Sequence, residues 1–296
     1  MIKFYVFLFI LFISCAVSFP STGEKTCVSN TEPLGHLVII GGGYRDSLLM
    51  VKFVELAGGV NSRFLIIPNA SGDPENAGKE LLKEFKGYGC KNAEYIVFNQ
   101  ELANSDSLIA ASKDFRGIYF SGGDQVLHTK ALLGTKFISL IKDLYYKGAV
   151  VGGTSAGAAI MSRVMITGEE KINKDKEQIF NTIMPGNVET LEGFGFMENV
   201  IVDQHFILRK RLNRLISVCL ENPTLLGIGI DEETAIIVKP DNTFEVMGNR
   251  TVLIIDPTNA INIKTNPESL FSGENIGISI LQSGQIFDLK NKKVVK

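Results

Sequence analysis

Four short apolar runs, each closed by glycine or proline, constrain this chain more than any other feature. His36 to Ile40 (HLVII) ends in Gly41, Gly42 and Gly43, and Phe64 to Ile67 ends in Pro68. Gly117 to Phe120 leads into Gly122 and Gly123, and Ala149 to Val151 into Gly152 and Gly153. Runs this short, apolar throughout instead of alternately, read as strands buried on both faces. Between them Ser47 to Leu56, Ala77 to Tyr88 and Leu127 to Lys147 have the spacing of helices. Strand and helix in alternation build a parallel sheet covered on both faces, whose functional groups gather at the carboxyl ends of the strands, where these turns fall. After a polar insertion from Glu169 to Phe180 come a helix and short strands near Ile228, Ile236, Phe244 and Leu253. No internal repeat or linker divides this region. The expected fold is α/β, a doubly wound, mainly parallel sheet with added C-terminal strands, in one domain over 35–296.

The first residues follow a different pattern. Lys3 precedes an apolar run from Phe4 to Ile13 that ends in small residues Ser14, Cys15, Ala16 and Ser18. This is the pattern of a secretory signal peptide, here 1–18, and the run is too short to span a bilayer, which takes about 20 residues. Export to the periplasm or the extracellular space is the expectation, with a lipoprotein anchored through Cys15 as the alternative. A polar, loose leader follows over 19–34. Cys27, Cys90 and Cys219 then remain, an odd number that cannot all pair, and none stands in a turn beside a base. With 30 basic and 32 acidic residues the chain has no net field to gather nucleic acid.

The chemistry concentrates in two segments. Gly152 to Ala158 (GGTSAGA) follows a strand and precedes a small-residue helix, the setting of a nucleophile elbow that presents Ser155 above the sheet. The alternative is that Thr154 and Ser155 only cap that helix. The second segment, Asp203-Gln204-His205-Phe206, lies between apolar Val200 to Val202 and the cations Arg209, Arg211 and Arg214. Of the three histidines, His36 opens a strand and His128 falls on a helix, which leaves His205 as the candidate base. The arginines read either as a solvated helix face or as a grip on a substrate carboxylate. The histidines lack metal-ligand spacing and the glycine turns lack a phosphate or dinucleotide fingerprint, so neither metal nor cofactor is expected.

In order along the chain, GGG at 41–43, SGGDQ at 121–125, GTSAGA at 153–158, DQHF with its arginines from 203 and GIGIDE from 227 resemble the cyanophycinases and their dipeptidase E relatives over roughly 35–260. The resemblance implies a flavodoxin-like sheet of the class I glutamine amidotransferase-like kind. It implies that Ser155 attacks the scissile carbonyl, that His205 takes its proton and that Glu232 orients the imidazole. It also implies an oxyanion hole formed by the backbone N–H groups of Gly123 and Ala156, with Gln125 holding substrate nearby. From the residues alone the acid stays open, because Asp231, Glu232 and Glu233 are adjacent and Glu169 and Glu170 in the insertion are rivals.

The implied substrate is cyanophycin, a polyaspartate bearing arginine on its β-carboxyls, cut from the end into β-aspartyl-arginine dipeptides. Arg209, Arg211 or Arg214 would hold the aspartyl carboxylate and Asp203 the guanidinium, with Gln204 a further substrate-binding candidate. An aspartyl dipeptidase with another peptide substrate is the alternative. A silent binding protein on the same fold would lack a triad member, and an amidotransferase-like domain would carry cysteine at the elbow. The expected partner is therefore a peptide or cyanophycin, with no nucleic acid and no stable membrane span, and homodimerisation is left open. Two N-x-S/T sequons, at Asn69 and Asn249, mark candidate glycan sites.

Overall fold

The computed structural model describes residues 32–172, 180–266 and 270–295. The expected signal peptide, Cys15, Cys27 and the leader up to residue 31 lie outside the described residues, as does most of the polar insertion. The chain runs through β1 (Leu37–Ile40), α1 (Ser47–Leu56), β2 (Arg63–Ile67), α2 (Pro74–Gly87), β3 (Ala93–Tyr95), α3 (Asp106–Ala111), β4 (Phe115–Phe120), α4 (Gln125–Leu132), α5 (Lys136–Tyr146), β5 (Val150–Thr154) and the short α6 (Ala156–Ala159). It continues through β6 (Val164–Glu170), β7 (Val188–Glu192), β8 (Val200–Gln204), α7 (Leu212–Glu221), β9 (Leu226–Ile230), β10 (Thr234–Val238), β11 (Thr243–Gly248) and β12 (Val252–Asp256). The remaining strands are β13 (Ile261–Thr265), β14 (Phe271–Glu274), β15 (Gly277–Leu281), β16 (Ile286–Asp288) and β17 (Lys293–Val295).

The nine-stranded main sheet has the order β17-β16-β11-β10-β1-β5-β4-β2-β3. Its half from β1 to β3 is parallel, and β10, β11, β16 and β17 extend it antiparallel beyond β1. A second sheet, β15-β12-β9-β8, pairs β8 with β9 in parallel and the rest antiparallel. The period-2 alternation of its strands decides the layering. Val200, Val202, Ile228, Ile230, Val252 and Ile254 join the core over the main sheet and α5, whereas Ile201, Leu253 and Ile255 turn to the outer helix α7. The opposite face of the main sheet is sealed by α1 and α2 through Leu49, Phe53 and Phe85. At roughly 1.5–3 kcal/mol for each fully buried large apolar side chain, this double cover is the main source of stability.

Two local expectations need correction. The stretch Leu127 to Lys147 is two helices, because Leu133 is extended, Gly134 has φ +75° and Thr135 starts a new helix by accepting the N–H of Ile138. Gly152 and Gly153 also lie inside β5 instead of ending it, since backbone pairing with β1 and β4 needs no side chain. A Cβ on Gly153 would stand 2.5 Å from the Gly157 carbonyl oxygen, so this glycine lets α6 fold back on its strand. Cys90 and Cys219 are buried free thiols. Among the described residues no helix is long and apolar enough to cross a membrane.

Candidate active site

The carboxyl ends of β1, β5, β4 and β2 stand level, with Ile40 beside Thr154 and Phe120 beside Gly153 and Ile67. Ser155 follows β5 at φ 53° and ψ −107°, a conformation that L-residues adopt only when their surroundings impose it. The imposition is visible: its N–H donates to the Ile40 carbonyl at 3.0 Å, and its own carbonyl accepts the N–H groups of Ala158 and Ala159. His205 leaves the end of β8 at φ 49°, with its N–H donating to Gly41 at 2.7 Å. Glu232 lies in the short link between β9 of one sheet and β10 of the other, where the next N–H, of Glu233, donates to Gly42 at 2.9 Å. The Gly41–Gly43 turn thus binds the segments that carry His205 and Glu232, and Ile40 just before it binds the one that carries Ser155.

These segments meet in a single relay. Ser155 Oγ lies 2.8 Å from His205 Nε2, and His205 Nδ1 lies 2.5 Å from Glu232 Oε1. A carboxylate only accepts, so Nδ1 carries the proton and Nε2 is left to receive that of the serine hydroxyl. Burial pushes the His205 pKa below its usual value, the hydrogen bond the ring donates to Glu232 opposes this, and the charges of Arg209 and Arg211 lower it further. The imidazole is therefore neutral at neutral pH, as a proton acceptor must be. Burial alone would raise the Glu232 pKa, but its bond to His205 and the Arg209 guanidinium 3.4 Å away hold it below the usual carboxylate range. Glu169 and Glu170 are not at the imidazole: Glu169 is exposed, and Glu170 is buried and accepts from Asn187 at 2.6 Å.

The sequence did not reveal why the first turn needs its glycines. A Cβ on Gly42 would stand 2.3 Å from His205 Cε1, and one on Gly43 would stand 2.8 Å from Glu232 Cβ. Both have positive φ, so the turn is shaped to leave room for the imidazole and the carboxylate. Asp231, one of the acids the sequence left open, is not the partner of the imidazole. It is buried and accepts the N–H of Leu208 at 3.0 Å, which shapes the turn after His205, and only its alternation with Glu232 hinted that it points elsewhere.

Across from the relay, Gly123 sits at φ +135°, where a Cβ would run into the Ala70 carbonyl at 2.0 Å. Its N–H has no acceptor among the described residues, and that of Ala156, the first residue of α6, has none within its helix. Gln125 is buried and its amide donates to the carbonyls of Ile166 (2.7 Å) and Thr167 (2.5 Å), which ties α4 to β6.

The arginines separate by environment. Arg214 and Asp203 form a bidentate pair with both side chains 1% exposed, and Phe180 covers the guanidinium at 5.0 Å. This corrects the expectation that either residue touches substrate, because the chain has already closed over the pair. Arg211 donates to the carbonyl (2.8 Å) and the amide oxygen (2.7 Å) of buried Gln204 and has no carboxylate partner among the described residues. Burial and the neighbouring Arg214 charge lower its pKa to about 10, so it stays cationic at neutral pH. Arg209 is half exposed beside Glu232. Of the candidate glycan sites, Asn69 is excluded in the folded chain, since its amide donates to Phe98 at 2.7 Å and the residue is buried.

A model of peptidase family S51 matches residues 37–246. The chain is 30% identical over 282 residues to a cyanophycinase from Synechococcus elongatus, covering 92% of this chain and 84% of that protein. It is 31% identical over 269 residues to a cyanophycinase from Trichormus variabilis, covering 87% of each. Its fold is similar to the crystal structure of a peptidase from an acI-B1 Actinobacterium, with a TM-score of 0.64 at 23% identity over 87% of this chain and 98% of that one. The architecture is thus the flavodoxin-like α/β sheet of these peptidases, with extra C-terminal strands.

Proposed function

We propose, because this chain belongs to peptidase family S51 and is a serine-type peptidase, that it cleaves cyanophycin from the chain end into β-aspartyl-arginine dipeptides through Ser155, His205 and Glu232. The observation that carries the reading is the relay of 2.8 Å and 2.5 Å at the carboxyl edge of the parallel sheet. Ser155 Oγ attacks the scissile carbonyl carbon while His205 Nε2 takes the hydroxyl proton. Negative charge collects on the former carbonyl oxygen, facing the N–H groups of Gly123 and Ala156. The C–N bond then breaks, His205 returns the proton to the leaving amine, and an acyl-enzyme remains on Ser155. Water, deprotonated by His205, hydrolyses that ester and regenerates the serine. Glu232 stays ionised throughout, holding the tautomer and stabilising the imidazolium.

The polymer assignment rests on the similarity to cyanophycinases over most of their length. Arg211 and Arg209 supply what an aspartyl carboxylate needs, a partly buried cation with no carboxylate partner among the described residues and a half-exposed one beside it. The signal-peptide pattern of 1–18 supports export as part of this reading.

The test incubates purified protein lacking residues 1–18 with insoluble cyanophycin and a panel of aspartyl dipeptides, alongside Ser155→Ala. Release of β-aspartyl-arginine that falls on the order of 10⁴-fold or more in the alanine variant supports nucleophile and substrate together. Cleavage of a dipeptide with cyanophycin left intact removes the polymer assignment and keeps the hydrolase.

A further inference from the structure

His128 is wholly buried on α4, outside the relay, and the reaction as derived does not use it. Its Nε2 lies 3.0 Å from the Ser121 carbonyl, and its ring meets Phe120 edge to face with centroids 5.3 Å apart. A carbonyl only accepts, so Nε2 is protonated and donates. Nδ1 is then an acceptor, and it has no partner among the described residues. Burial lowers the His128 pKa to about 4, which leaves the ring neutral.

The same Ser121 carbonyl accepts the N–H of Gly157 at 3.1 Å. One oxygen therefore joins α4, the turn after β4 and the helix behind Ser155. Gly122 and Gly123 follow it, and two successive glycines have little stiffness of their own. What holds the turn is external: Ser121 N–H on Ile67 (3.0 Å), Asp124 N–H on Ala70 (2.8 Å), Gly157 N–H and His128.

We propose that His128 is a positioning residue for the oxyanion hole, aiming the Gly123 N–H by fixing the Ser121 carbonyl. This rests on the reading of Ser155 as nucleophile and Gly123 as oxyanion donor. The orphaned Nδ1 separates this role from plain packing. A buried acceptor without a partner lowers stability, so a phenylalanine of similar shape would serve the core at least as well. The Nε2–H bond is what only a donor supplies.

His128→Phe and His128→Gln are compared with the unaltered enzyme, with turnover counted per Ser155 labelled by a serine-directed phosphonate, so that unfolded molecules drop out. In His128→Phe the expected result is a Tm equal to or above that of the parent, kcat per labelled site lower on the order of 10- to 100-fold, and KM unchanged, because the interaction forms only in the transition state. His128→Gln, which returns an N–H at similar reach, recovers most of the loss. Unchanged kcat per labelled site in His128→Phe, or an equal loss in both variants, overturns the role of His128 alone. Failure of the unaltered enzyme to label at Ser155 overturns the active-site reading beneath it.

Discussion

The two sides of the site are built by different means. Ser155, Gly123 and Ala156 stand on adjacent turns of one parallel sheet, with local sequence and register fixing their spacing. His205 comes from the second sheet and Glu232 from the link between the two sheets, 50 and 77 residues beyond Ser155 along the chain. Their placement depends on how the sheets pack, and the Gly41–Gly43 turn transmits that packing through its bonds to His205 and Glu233. The nucleophile side is fixed by the fold; the base side is fixed by an assembly of folded parts. Damage to the second should therefore spare the sheet and disable the relay.

The largest expected effect isolates the acid. In Glu232→Gln the amide presents a donor to Nδ1, favours the other tautomer and puts a proton where Nε2 must accept. Turnover should fall on the order of 10³- to 10⁴-fold with the fold intact by circular dichroism and phosphonate labelling slowed in proportion. A loss below tenfold would mean that another acid orients His205.

Next comes the pair beneath the base. Asp203→Ala leaves Arg214 charged and buried, at a cost of roughly 3–5 kcal/mol that denaturant unfolding would read. If Asp203 touched substrate, KM would rise with stability unchanged. Gly42→Ala works from the other sheet. Its Cβ displaces the His205 ring, and a shift of about 1 Å at a reacting group costs on the order of 10² in kcat. Normal kcat in that variant would show that the turn yields and does not clamp the base.

The same contrast governs what the sequence makes legible. The strands of the parallel half, the turn that carries Ser155 and the candidacy of His205 as its partner follow from period, glycine punctuation and motif order. The breadth of the antiparallel extension does not, because its outermost strands, β16 and β17, are three residues long and carry no period. Nor does the fate of Asp203 and Arg214. In sequence they share a cluster with Arg209 and Arg211, and only the turn of α7 back under β8 separates a buried pair from cations that face the site. Gly42 reads as punctuation until the imidazole is seen against it.

The smallest effect is the most diagnostic of how the base is tuned. Arg209 is half exposed, so its influence on His205 is screened, and its removal should barely alter maximal turnover. The sign is nevertheless fixed. Burial is the main cause of the lowered His205 pKa, and the Arg209 charge pushes in the same direction by disfavouring imidazolium. Arg209→Ala removes that push, so the acid limb of kcat/KM should move to higher pH, with less activity retained on the acid side. High salt applied to the parent enzyme should move the limb the same way, by screening the same charge. A limb unmoved by either treatment would assign the shift to burial and the less exposed Arg211 and leave Arg209 without a part in it. KM for aspartyl peptides should also rise, since the same guanidinium is offered to the substrate carboxylate, and a rise in KM without a shift in the limb would leave Arg209 that role alone.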